Sequence, residues 1–120
     1  MTRRTKPAAH TKARSRTAHA AARLDALIEE ATVDAYDESE QTAGFYSLLE
    51  EHLAFPFTTE VRGVEVAVER IDLSVDEEIV AVCVRGASRQ LIRLIELPLP
   101  NPAPKGSEWI DAYRRWACRR

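Results

Sequence analysis

Between Leu24 and Val61 the sequence has neither lysine nor arginine, although that stretch holds ten aspartates and glutamates. Other absences narrow the function further. Two cysteines, Cys83 and Cys118, are too few for a disulfide framework or a zinc site built of thiolates. No apolar run approaches the roughly 20 residues that cross a bilayer, which excludes a membrane-spanning helix. The basic start, residues 1–16, is followed by no apolar core, so it does not read as a secretory signal. A glycine-rich phosphate loop, a dinucleotide-binding fingerprint, a His-Glu-x-x-His and a Cys-x-x-Cys are all missing. The three histidines, His10, His19 and His52, are scattered. These gaps argue against a zinc, redox or nucleotide-dependent enzyme, and a soluble, reduced, cytoplasmic protein is expected.

What is present is one small domain's worth of chain, 120 residues with a net charge of −2. That balance conceals blocks of opposite sign. Residues 1–23 carry seven Lys and Arg and no acid, and the ten acids of residues 24–61 follow directly. The acidic block predicts a locally negative surface that attracts cations and repels nucleic acid. Residues 1–17 lack periodic apolar groups and are expected to form a disordered basic arm, with residues 18–120 as the single folded domain. The arm has no aromatic residue to stack on bases, so nucleic-acid binding is not its favoured role.

Apolar spacing gives the elements. Leu24, Leu27, Ile28 and Ala31 mark one face of a helix over 18–32. Asp37 is placed to cap a second helix, with Glu40 in capping-box position and a stripe of Phe45, Leu48, Leu49 and Leu53 before Pro56 stops it. From Phe57 the period changes to two: Val64, Val66 and Val68 alternate with Glu65, Ala67 and Glu69. Ile79–Val84 is apolar on both faces, as a central strand would be, and a further strand spans Gln90–Leu94. Prolines 98, 100, 102 and 104 force an extended strap. Ser107 then caps a last helix whose Trp109, Tyr113 and Trp116 share one face. The expected fold is α+β: two N-terminal helices, a small antiparallel sheet or SH3-like barrel, and a C-terminal helix.

Asp34, Asp37, Glu38 and Glu40 fall within seven residues around a helix start. Oxygen-rich clusters suit calcium, which accepts six to eight oxygen ligands in tolerant geometry. Helix capping and the macrodipole also favour acids at this place, and on spacing alone they account for these residues better than a metal does. The helix-loop-helix calcium signature, with its glycine turn and spaced final glutamate, is absent. One-signed charge over nearly forty residues costs stability by repulsion, however, and a divalent ion would offset it.

The segment Glu40–Phe57, with its Phe-Tyr-x-x-Leu-Glu-Glu-x-Leu-x-Phe-Pro-Phe core, resembles the calcium-binding protein family first described in cyanobacteria. Val33-Asp34-Ala35-Tyr36, the strand near Val61–Leu73 and the close Gly106–Trp116 resemble it as well. The likeness covers roughly residues 30–116 and implies a small cytoplasmic protein that buffers or senses calcium rather than catalysing a reaction. Carried over by position, it implies Asp34, Asp37, Glu38 and Glu40 as metal-site residues, with Glu50 and Glu51 in support. Asp72, Asp76, Glu77 and Glu78 are expected to form a second, weaker patch. Two alternatives remain open. One is an acidic docking face for a basic protein partner. The other is a nucleic-acid-binding barrel using the arm with Arg85, Arg89 and Arg93.

Overall fold

In the computed structural model the backbone of residues 5–119 and the side chains of residues 18–119 are described. Helix α1 spans Thr5–Thr32, so it starts well upstream of the apolar period that begins near residue 18. The side chains expected to form a disordered basic arm lie outside the described residues. Helix α2 is Glu38–His52, followed by strands β1 (Phe57–Val61), β2 (Val64–Leu73), β3 (Ile79–Arg85) and β4 (Ser88–Arg93), a short 3-10 turn at Leu94–Glu96, and helix α3 (Glu108–Arg119). The architecture is α+β, with an antiparallel sheet in the order β1-β2-β3-β4.

Three tight turns build the sheet. Val61 pairs with Val64 across Arg62 and Gly63, both at positive φ (53° and 78°), the twist a two-residue hairpin requires. Arg85 pairs with Ser88 at the β3–β4 turn, and Leu73 with Ile79 across the β2–β3 turn. The first two turns therefore lie at one end of the sheet and the third at the other. The alternation Val64, Val66, Val68 breaks at Ile71 because the β2–β3 register shifts between Val68 and Arg70. This bulge at Glu69 returns Ile71 to the buried face. One hollow is walled by Val61 of β1, Arg62 of the turn after it and Gln90–Arg93 of β4, so the two edge strands approach and the sheet curls strongly. Those edges are not hydrogen-bonded to each other, and the sheet is open rather than a closed barrel. After β4 the chain crosses toward β1, where Thr59 Oγ1 donates to the Pro98 carbonyl at 2.7 Å.

The core lies between the inner face of the sheet and the three helices. Phe45 and Leu49 of α2, Ile28 and Ala31 of α1, and Trp109, Ile110, Tyr113 and Trp116 of α3 meet Val68, Ile71, Ile79 and Ala81. The α1 and α2 backbones approach so closely that a Cβ on Gly44 would stand 2.0 Å from the Ala31 carbonyl oxygen. This contact is why a mid-helix glycine sits there despite its cost of about 1 kcal/mol in a helix. The aromatic stripe of α3 is core, and Tyr113 reaches through it to accept the Ile79 backbone N–H at 3.2 Å. Arg114 fixes α3 to the 3-10 turn that precedes the strap by donating to the carbonyls of Leu94 and Leu97.

Asp25 of α1 accepts from Arg115 Nε at 2.9 Å and from Arg119 at 2.5 Å, clamping α1 to α3. The hydrogen bonds from Arg115 and Arg119 hold its carboxyl below the usual value of 3.8. A depressed folded-state pKa contributes stability above the unfolded value and loses it as pH falls through the folded one. Asp25→Asn should therefore lower the urea midpoint at pH 7, with the gap to the parent narrowing at a pH below the usual 3.8. An equal gap at both pH values would mean that the ion pair contributes nothing.

Candidate functional site

The acids singled out in the sequence sit mostly where helix geometry can use them. Asp34 lies in the turn just past α1, at φ 60°, and is exposed. Asp37 caps α2, its Oδ1 accepting the Glu40 backbone N–H at 2.8 Å. Glu40 reaches back to accept the Tyr36 backbone N–H at 3.1 Å, a variant of the capping box displaced by one residue. Glu38 opens the first turn of α2 and is exposed. The negative ends of these side chains thus face the positive end of the α2 dipole.

A second segment meets them. Ser39 Oγ donates to Glu77 Oε1 at 2.5 Å, which brings the β2–β3 turn against the start of α2. The two acidic patches, distinct in sequence, are therefore neighbours in space. Nothing local predicts this contact, because the two residues lie 38 positions apart. Within the turn, Glu78 is turned away: Arg93 grips both its oxygens, at 2.7 and 3.0 Å.

Glu50 and Glu51 stand near the far end of α2, about 15 Å from Glu40 at 1.5 Å per residue, so they belong to a different locale. Glu50 lies beside Tyr46, whose hydroxyl donates to the Ile71 carbonyl at 3.2 Å. Burial pushes the Tyr46 pKa above its usual 10.0, and the carboxylates of Glu50 and Asp72 push it further. Glu51 lies 3.7 Å from the His52 imidazole.

This arrangement is not a finished metal cage. Among the described residues no three His, Cys, Asp or Glu side chains come close enough together to hold an ion. Nor is any buried side-chain polar atom there left without a partner and aimed at an absent ligand. The exposed oxygens of Asp34, Asp37, Glu38 and Glu77 would have to draw together around a cation. Asp37 and Glu40 would do so in competition with the backbone amides they cap.

Cys83 is 1% exposed, and burial pushes its thiol pKa up, the opposite of what a reactive thiolate needs. Among the described residues no helix is long and apolar enough to cross a membrane. No curated protein and no solved structure matches the chain. A family model does match, that of the CcbP proteins, described as calcium binding, over residues 25–117. The match takes in every acid discussed above, from Asp25 to Glu78. With it covering most of the sequence, the chain belongs to the CcbP calcium-binding family.

Proposed function

We propose that the protein binds calcium through the carboxylates gathered where the α1–α2 connection meets the β2–β3 turn, and that it buffers or senses the ion in the cytoplasm without catalysing a reaction. Family membership supports calcium as the ligand. The Ser39–Glu77 hydrogen bond is the observation that carries the placement, since it joins acids from two segments at one helix start. Asp34, Asp37, Glu38 and Glu40 are the proposed primary group, and Glu77 extends it. Glu50 and Glu51, with Asp72 near Glu50, form a separate and weaker locale.

Calorimetry with calcium, run against a magnesium background, tests this. Calcium should bind in preference, because magnesium demands stricter octahedral geometry and sheds water reluctantly. Saturation at 100 times the dissociation constant should stabilise the fold by about 2.7 kcal/mol, read as a rise in Tm. Neutralising Asp34 and Glu38 together, to Asn and Gln, should weaken the tightest calcium event, whereas Glu50→Gln with Glu51→Gln should touch only a weaker one. Unchanged calcium heats in the first double variant, with stability alone reduced, would make these acids capping residues only.

An acidic docking face for a basic partner is a second reading. It draws support from Tyr36 and Val75, 88% and 99% exposed on the two segments that the Ser39–Glu77 bond brings together. That reading predicts salt-sensitive capture of a basic peptide with no calcium heat.

A further inference from the structure

The end of the sheet away from the acids holds a different site. α2 and α3 anchor on the half of the inner face nearest the β2–β3 turn, through the Tyr46–Ile71 and Tyr113–Ile79 hydrogen bonds. Toward the β1–β2 and β3–β4 turns the curled sheet instead encloses a hollow of about 320 Å³. Val61, Val64, Val66 and Cys83 line it with apolar surface. Arg62 and Arg85 stand at its rim, one beside each hairpin turn, and Ser88 and Gln90 complete the wall. Gln90 pairs with Cys83 across the β3–β4 ladder, so the two side chains share the inner face.

The two arginines differ from most of the others around the sheet and α3; Arg70 of β2 is also without a hydrogen bond or ion pair among the described residues, but it does not line the hollow. Arg89 lies 3.9 Å from Glu69, Arg93 is held by Glu78, Arg114 by backbone carbonyls, and Arg115 and Arg119 by Asp25. Among the described residues the Arg62 and Arg85 guanidinium groups have no hydrogen bond and no ion pair. Two unpaired planar forks over an apolar floor match a ligand with one anionic end and one apolar end. The volume lies at the small end of the range for ligand sites, and the mouth of a curled sheet is a common place for one.

We propose that this hollow binds a small carboxylate with a short apolar body, the carboxylate between Arg62 and Arg85 and the body against Val64, Val66 and Cys83. Ser88 and Gln90 can donate to the same oxygens. The site shares no residue with the proposed calcium group, so either proposal can fail alone.

Amide chemical-shift mapping of the whole protein with hexanoate, hexanol and hexylamine tests the assignment. Hexanoate should shift the amides of Val64, Val66, Cys83 and Gln90 saturably, hexanol should do so more weakly, and hexylamine should not. Replacing both arginines, Arg62→Asn and Arg85→Gln, should weaken hexanoate by about tenfold or more, the worth of a charge-assisted hydrogen bond. Asn suits the positive φ at position 62, and both side chains are exposed, so the fold should be retained. Because the comparison among the three probes uses the unaltered protein, it stands even if the double variant misfolds. Hexanol binding as tightly as hexanoate, shifts scattered over the surface, or no shift at about 10 mM hexanoate would each overturn the proposal.

Discussion

Truncating Phe45 to alanine should remove about 3–5 kcal/mol of stability, a large share of what a domain of this size possesses. Phe45 is fully buried, 0% exposed. Its ring meets Tyr113 edge-on at 5.6 Å between centroids and Trp116 at 5.1 Å, so α2 and α3 touch through it. Alanine would forfeit the burial, the two aromatic contacts and the packing of everything around the void. Neither neighbour can refill the space easily. The Tyr113 hydroxyl is tied to the Ile79 amide, and α3 is also held by Arg114 on the Leu94 carbonyl of the 3-10 turn. Urea denaturation of parent and variant measures the loss, and Phe45→Leu should recover most of it by keeping volume. A loss below about 1 kcal/mol for Phe45→Ala would mean that α3 does not depend on α2 for its seat.

That contact shows which parts of the structure were legible in the sequence. The stripe of Phe45, Leu49 and Leu53 and the stripe of Trp109, Tyr113 and Trp116 each announce a buried helix face. The run Ile79–Val84 was readable as a central strand, and it lies between β2 and β4. Asp37 was readable as a cap because its effect is local, three residues to the Glu40 amide. What period and propensity do not encode is which far segment arrives next to which. β1 was readable only as the onset of period two at Phe57, since its short FTTEV segment has no second apolar residue on the expected face before Val61. The choice between an open sheet and a barrel depended on whether the chain after Arg93 would pair with β1. The prolines of the strap deny it amide donors there, and it meets β1 through the Thr59 hydroxyl instead.

The same limit governs the candidate site. Asp34, Asp37, Glu38 and Glu40 lie around one helix start because they are neighbours in the chain. Glu77 joins them only through a tertiary contact with Ser39. Reading Glu50 and Glu51 as a separate locale needed only the helical rise, and their place near the end of α2 agrees. Arg62 and Arg85 were beyond reach: one reads as a turn residue and the other as the end of a strand. Their common position at the mouth of a hollow exists only once the sheet has curled.

Gly106→Ala should be nearly as damaging as the loss of Phe45, for two separable reasons. Gly106 adopts φ 89°, where an L side chain costs about 1–3 kcal/mol. A Cβ there would also stand 2.2 Å from the His52 carbonyl oxygen, 2.6 Å from its carbon and 2.8 Å from Leu53 Cα. All three are backbone atoms at the close of α2, so no rotamer change relieves the overlap, and overpacking adds about 1–3 kcal/mol more. This is the junction through which the strap returns to the body. Ala54 N–H donates to the Lys105 carbonyl at 2.9 Å, Trp109 N–H to the Gly106 carbonyl at 3.1 Å, and the Trp109 indole stacks on His52 at 5.4 Å. Forcing the backbones apart would loosen the amide bond and the stack together, so the near-ultraviolet signal of Trp109 should weaken along with the urea midpoint. Gly106→Asn divides the two causes. Asparagine tolerates positive φ better than alanine but carries the same Cβ. If it is as harmful as alanine, the overlap with His52 dominates. If it is clearly milder, backbone strain does. Retention of parental stability by both variants would show that α2 and the strap do not meet at Gly106.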